Sequence, residues 1–211
     1  MFTGIIETRG TVDGITRKGD GLRLRIRSNE LGEHLEKDDS VAVNGICLTV
    51  VERSSEGFSA DAVAETLART TLKDWRPGQT VNLERGMPAS GRFDGHLVQG
   101  HVDGTAELIT REGRGGGAEM TFRTAETLTA LMVEKGSVAL DGVSLTIVSV
   151  TRDRFSVAVI PYTLSHTTLG DLPPGGKVNV EMDIIGKYLA KFSGGKLKLT
   201  KTTLEAWGYK L

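Results

Sequence analysis

The stretch SVAVNGICLTVV (Ser40–Val51) returns as SVALDGVSLTIV (Ser137–Val148), 97 residues further along the chain. Strand side chains alternate between faces, so Ile46, Leu48 and Val50 share one side while Gly45, Cys47 and Thr49 share the other. Val143, Leu145 and Ile147 repeat the apolar face; Gly142, Ser144 and Thr146 repeat the second. Each copy therefore predicts a strand with its branched residues in a core. The match continues without a gap from Ser40–Glu84 onto Ser137–Glu181, with 20 of 45 positions identical. Shared marks include Thr66-Leu67 with Thr163-Leu164, Pro77-Gly78 with Pro174-Gly175, and VN.E at 81–84 and 178–181.

Upstream, Gly10-Thr11-Val12 aligns with Gly104-Thr105-Ala106 at an offset of 94, which sets His101 against Glu7. The three-residue difference predicts a longer turn in the second half, at GRGGG (113–117). Solenoids and propellers repeat every 20–50 residues, so a period near 97 predicts two copies of a whole domain. The expected division is 1–95, 96–181 and a closing segment 182–211.

Period-two runs such as LRLRIRS (22–28), MTFRT (120–124) and FSVAVI (155–160) lie between Gly and Pro turn signals. They predict an all-β chain of two antiparallel Greek-key barrels in tandem. Short helical candidates interrupt the strands at SNELGEHLEK (28–37), ETLARTTL (65–72), ETLTALMVEK (126–135) and YTLSHTTL (162–169). The segment MDIIGKYLAKF (182–192) places Ile184, Ile185, Tyr188, Leu189 and Phe192 at helical spacing and stops at Ser193-Gly194-Gly195. That stripe suits either a subunit contact or packing on its own barrel.

A net charge of −1 and 5% aromatic residues argue against a nucleic-acid partner. No run reaches the roughly 18 apolar residues of a membrane span. MFTGIIETRG lacks the basic and apolar regions of a secretion signal, and one cysteine cannot make an internal disulfide. The expected location is the cytoplasm.

A lone cysteine is commonly a buried small hydrophobe. Cys47, however, shares its face with a glycine and a threonine and has a serine as counterpart, which also fits a ligand-facing position. In GHLVQGHVDGTA (95–106), His96 and His101 fall on opposite faces of an extended chain and would not share a metal. His101, beside Gln99, Asp103 and Thr105, is the functional candidate; His96, beside Val98 and Val102, is the structural one. His34 and His166 read as surface residues. GRGGGA (113–118) matches a dinucleotide turn in form, but a strand pattern follows where that turn needs a helix.

Together, the opening MFTGI, NGICLTV, the GHLVQGHVDG junction, KGSVALDGVSLTI and the TTLG stretch before VNVEMD resemble the riboflavin synthase alpha-chain family, from Met1 to about Phe192. The resemblance implies six strands per barrel and a homotrimer held by the C-terminal helix. It allows an association with lumazine synthase. The implied reaction is dismutation of two molecules of 6,7-dimethyl-8-ribityllumazine to riboflavin and 5-amino-6-ribitylaminouracil, without metal or added cofactor.

By the same resemblance a first pocket would use Gly4, Ile5, Ile6, Cys47, Leu48 and Thr49. It would add Asp61, Ala62, Val63, Ala64, Glu65 and Thr66. A second would use Gly100, His101, Val102, Ser144, Leu145 and Thr146, with Ile160, Pro161, Tyr162, Thr163, Leu164 and Ser165. Lys135 would reach a ligand on a neighbouring subunit, the two ligands meeting between the first barrel of one chain and the second barrel of another. Phe2, Ser40 and Asp183 match positions that the family associates with activity, although Asp183 also suits a helix N-cap. The rivals are a non-catalytic lumazine or flavin carrier on the same barrels, a reductase flavin domain and an oligonucleotide-binding barrel. The reductase would need a βαβ nucleotide domain that the sequence lacks.

Overall fold

The computed structural model describes residues 1–192. The expected helix stop at 193–195 and the tail to residue 211 lie outside them. Six strands, β1 (Thr8–Lys18), β2 (Gly21–Arg27), β3 (Ser40–Val43), β4 (Ile46–Ser54), β5 (Gly57–Ala62) and β6 (Thr80–Arg85), close an antiparallel barrel in the order β1-β2-β5-β4-β3-β6. A second set, β7 (Gly104–Arg114), β8 (Gly117–Arg123), β9 (Ser137–Leu140), β10 (Val143–Val150), β11 (Arg154–Val159) and β12 (Lys177–Met182), closes with the same connectivity. The fold class is thus the one expected, and closure leaves neither sheet with a free edge.

Alternation in β4 and β10 decides what enters each core. Ile46, Leu48 and Val50 are buried in the first, and Val143, Leu145 and Ile147 in the second. Cys47 and Ser144 are half-buried on the other face; Thr49 and Thr146 are exposed. Among the described residues no helix is long and apolar enough to cross a membrane.

Sheet register corrects the upstream alignment. Thr8 pairs with Leu83 and Gly104 with Val180, and Leu83 and Val180 are themselves equivalent. The true offset is therefore 96, and the counterpart of His101 is Ile5, not Glu7. Both β1-β2 and β7-β8 turns hold two residues, Gly19-Asp20 and Gly115-Gly116, so the glycine-rich turn is not longer. The single extra residue of the second half lies between β8 and β9, where Lys135 takes a left-handed φ of 66°. The helical candidates 28–37 and 126–135 shrink to α1 (Asn29–Gly32) and α3 (Glu126–Thr129), because left-handed turns at Asp38 and Lys135 return the chain to β3 and β9. Those at 65–72 and 162–169 form α2 (Ala64–Arg69) and α4 (Pro161–His166), followed by 3-10 turns at Thr71–Asp74 and Thr168–Gly170.

The halves meet across an approximate two-fold axis. The β3-β4 turn is Asn44-Gly45 (φ 45° and 73°), and the β9-β10 turn is Asp141-Gly142 (φ 45° and 80°), both in the positive-φ geometry of two-residue hairpins. The turns abut so closely that a Cβ on Gly45 would lie 2.6 Å from the Gly142 nitrogen. The repeated asparagine of VN.E crosses this axis. Asn82 Nδ2 donates to the Asp141 carbonyl (2.9 Å) and its Oδ1 accepts from Thr168 N (2.8 Å); Asn179 does the same with the Asn44 carbonyl and Thr71 N (both 2.8 Å). Burial pushes the Asp141 carboxyl up to about 7, opposed by the hydrogen bond from the Asn179 N–H. A small apolar cluster of Phe2, Ala42, Val98 and Ala139 fills the same seam.

The last helix, α5 (Ile184–Phe192), buries none of its residues. Among the described residues Ile184 is half-buried, while Ile185, Tyr188 and Leu189 are each 55% exposed and Phe192 81%, so most of the stripe is left uncovered by its own barrel.

Candidate functional site

Each barrel carries a candidate cradle at the outward residues of β4 or β10, and in the first these face the helix that follows β5. In the first, Cys47, Glu65, Thr66, Gly100, His101 and Val102 line a cavity of about 300 Å³. Leu48 lies beneath in the core, with Thr49 exposed at its rim. Asp61, at the end of β5, accepts two bonds from Arg23 (2.7 and 3.0 Å) and one from Lys18 (2.6 Å). The Arg23 guanidinium, helped by Lys18, holds its carboxyl far below the usual carboxylate range. Ala62 is buried, and Val63, Ala64 and Glu65 are exposed along the approach to α2.

The second cradle carries Ser144 and Thr146 over buried Leu145, with Ile160, Pro161 and Tyr162 exposed at the start of α4. Thr163 and Leu164 are half-buried, Ser165 is exposed, and the Tyr162 ring stacks on His166 at 3.9 Å. Ile160 and Pro161 line a cavity of about 260 Å³ with Val148, Val159 and the turn at 114–119, apart from Ser144. Ala158 stands where the first cradle has Asp61, so the two edges differ in charge.

The lead-in segments are exchanged relative to the expected grouping. Gly4 O accepts from Ser144 N at 2.8 Å, and Ile6 packs against the second core. Gly100 O accepts from Cys47 N at 2.9 Å, and Val102 packs against the first core. Hence Gly4, Ile5 and Ile6 join the Ser144 cradle, while Gly100, His101 and Val102 join Cys47. The cause is the two-fold junction: Phe2 and Val98 pair across it in both directions (2.7 and 3.2 Å), so each lead-in continues over the opposite barrel. Both glycines are required by contact. A Cβ on Gly4 (φ 78°) would meet Ser144 Cβ at 2.7 Å, and one on Gly100 (φ 77°) would meet Cys47 Cβ at 2.5 Å.

Sequence reasoning placed His96 in a structural role, yet His96 Nδ1 lies 2.7 Å from Ser144 Oγ. Burial pulls this imidazole down, against the charge of Asp183, which favours the neutral ring. Its Nε2 is buried without a hydrogen-bond partner among the described residues. Only the spatial pairing reveals this; 48 residues separate the two in sequence. His101 is exposed at the first cradle. Burial pushes the Cys47 thiol up, and the Glu181 carboxylate adds to the shift.

Two of the remaining candidates adjoin Cys47. Phe2 is 0% exposed in the seam, in the apolar cluster against which Cys47 packs. Ser40 is exposed; its hydroxyl hydrogen-bonds the Cys47 thiol, and it also lines a cavity of about 500 Å³ with Ile5, Glu84 and Gly86. Asp183 Oδ1 accepts from Ile185 N (2.9 Å) and so caps α5, as its alternative reading expected. Lys135 is exposed on the turn before β9.

The Lumazine binding domain family model matches this chain twice, over residues 3–86 and 99–183. The chain is 44% identical to the riboflavin synthase of Bacillus subtilis (strain 168), over 91% of its own length and 89% of the relative's. It is 42% identical to that of Actinobacillus pleuropneumoniae, with the same coverage. A solved structure of LumP complexed with 6,7-dimethyl-8-(1'-D-ribityl) lumazine superposes with a TM-score of 0.78 at 25% identity, covering 86% of this chain and 99% of that one. With its two lumazine-binding domains, the chain belongs to the riboflavin synthase family.

Proposed function

We propose that this chain converts two molecules of 6,7-dimethyl-8-ribityllumazine into riboflavin and 5-amino-6-ribitylaminouracil. A four-carbon unit passes from one lumazine to the other. The products together contain the atoms of the two substrates, so no external oxidant or reductant is consumed. The observation that carries the reading is a pair of cradles on one frame with unlike equipment. One has a thiol, an exposed imidazole and an ionised carboxylate; the other has a serine against a buried imidazole. Equal substrates in unequal cradles suit unequal donor and acceptor roles.

The donor must lose a proton from a methyl group conjugated to an electron-poor ring, and delocalisation of the anion lets a modest base suffice. Holding two flat rings together contributes as much as ~7–11 kcal/mol. One positioned acid or base supplies about 10²–10⁴-fold. Positioning is therefore the larger factor, which favours a trimer whose ligands meet between the first barrel of one chain and the second barrel of its neighbour. The bare apolar face of α5 supports that assembly. Purified protein given the lumazine alone should form riboflavin, seen by absorbance and emission. Tight binding of lumazine without turnover would favour the carrier reading instead.

A further inference from the structure

The glutamates of the two VN.E repeats are buried; neither lines the cavity at Cys47, and Glu84 reaches the larger cavity beside Ser40 and Ile5. Glu84, on β6, accepts from Thr3 N (2.6 Å), Thr3 Oγ1 (2.8 Å) and Gly4 N (3.0 Å). Glu181, on β12, accepts from Gln99 N (2.7 Å) and Gly100 N (2.8 Å). Just beyond, Asp103 accepts from Met182 N (2.8 Å) and pairs with Lys187 (2.8 Å), fastening the rest of the second lead-in. A buried carboxylate that receives two adjacent backbone N–H groups fixes the peptide between them, because charge-assisted bonds are short and strong. The next carbonyl along, that of the second donor residue, bonds the opposite barrel: Gly4 O accepts from Ser144 N and Gly100 O from Cys47 N.

We propose that Glu84 and Glu181 are crossed positioning residues, each holding from its own barrel the strand that closes the other barrel's cradle. Glu84 thus sets the geometry around Ser144, and Glu181 the geometry around Cys47. Damage to one half should appear as a loosened site in the other. This assignment rests on the proposed function only for the identity of the ligand.

Cys47, the single cysteine, reports on the first cradle. Its alkylation by iodoacetamide is to be followed against pH in the ligand-free full chain, for wild type and for E84Q, E181Q and E181D. A glutamine meets one of the two N–H donors with its own NH₂, and an aspartate falls short by one methylene. Both Glu181 variants should raise the limiting rate at high pH roughly tenfold, as expected for loss of a bond to a charged group. E84Q should leave that rate within about twofold of wild type. Loss of the Glu181 charge alone would move the pH midpoint and not the plateau, and E181D keeps the charge, which also guards against a misfolded E181Q.

In a riboflavin titration the pattern should invert. E84Q should weaken the binding that leaves Cys47 unprotected, and E181D the binding that protects it. A raised plateau in E84Q, equal plateaus in all variants, or a midpoint shift alone would overturn the crossed assignment. Failure of the wild type to make riboflavin would defeat the functional reading and leave the alkylation result standing.

Discussion

Asp141→Asn places at the two-fold junction the residue that already stands at the equivalent position, Asn44. Burial raises the Asp141 carboxyl to about 7, against about 3.9 for an aspartate in an unfolded chain. Between those values the folded chain keeps a proton that the unfolded chain releases. Stability therefore falls as pH rises through this window and levels off above it. Three units at about 1.36 kcal/mol each make the full loss about 4 kcal/mol, of which roughly 3 falls between pH 5 and pH 8. Asparagine keeps the local bond: Asn82 N donates to Asn44 Oδ1 at 2.6 Å, as Asn179 N does to Asp141 Oδ1 at 2.8 Å.

The variant should lack this slope and, at pH 8, melt higher than wild type by on the order of 10 °C for a chain of this size. Thermal and urea unfolding at pH 5 and pH 8 would measure it, at one protein concentration because association adds stability. Equal losses of stability from pH 5 to pH 8 in wild type and D141N would refute a buried proton at the junction.

Cys47→Ser and His101→Gln should each slow riboflavin formation within the roughly 10²–10⁴-fold range of a single acid-base group, without abolishing it. Complete loss of rate in either variant with ligand binding intact would contradict the dominance of positioning. Phe2→Ala should cost about 3–5 kcal/mol of stability in urea unfolding, because its ring is fully buried in the seam. An N-terminal extension should raise KM or lower kcat, since Phe2 and Gly4 lie in the seam and on the second cradle; identical kinetics with and without the tag would count against this. Tyr188→Asp with Phe192→Asp should yield a monomer by sedimentation that makes no riboflavin, and a fully active monomer would sink the trimer requirement.

The duplicated strand made the barrels and the faces of Cys47 and Ser144 legible, because alternation in β4 and β10 is a local property of the chain. The exchange of lead-ins was not. It depends on Phe2 meeting Val98 across 96 residues, and left-handed turns at Gly4 and Gly100 break the alternation on which face assignments rest. The contact of His96 with Ser144 was equally hidden, because it depends on the approach of a strand 48 residues away. The upstream alignment slipped by two residues because a glycine matched a glycine, whereas strand pairing with β6 and β12 fixes the true equivalence. The buried carboxyl at Asp141 was hidden as well, since an Asp-Gly turn is usually exposed and only the facing turn of the first barrel covers it.

The central claim is that two unlike cradles from neighbouring chains press two lumazine rings together. A crystal structure of the assembled protein with an unreactive lumazine analogue tests it most directly. The account predicts two analogues in face-to-face contact, one over Cys47 of one chain and one over Ser144 of the next. A single occupied cradle, remote from any second chain, would contradict it.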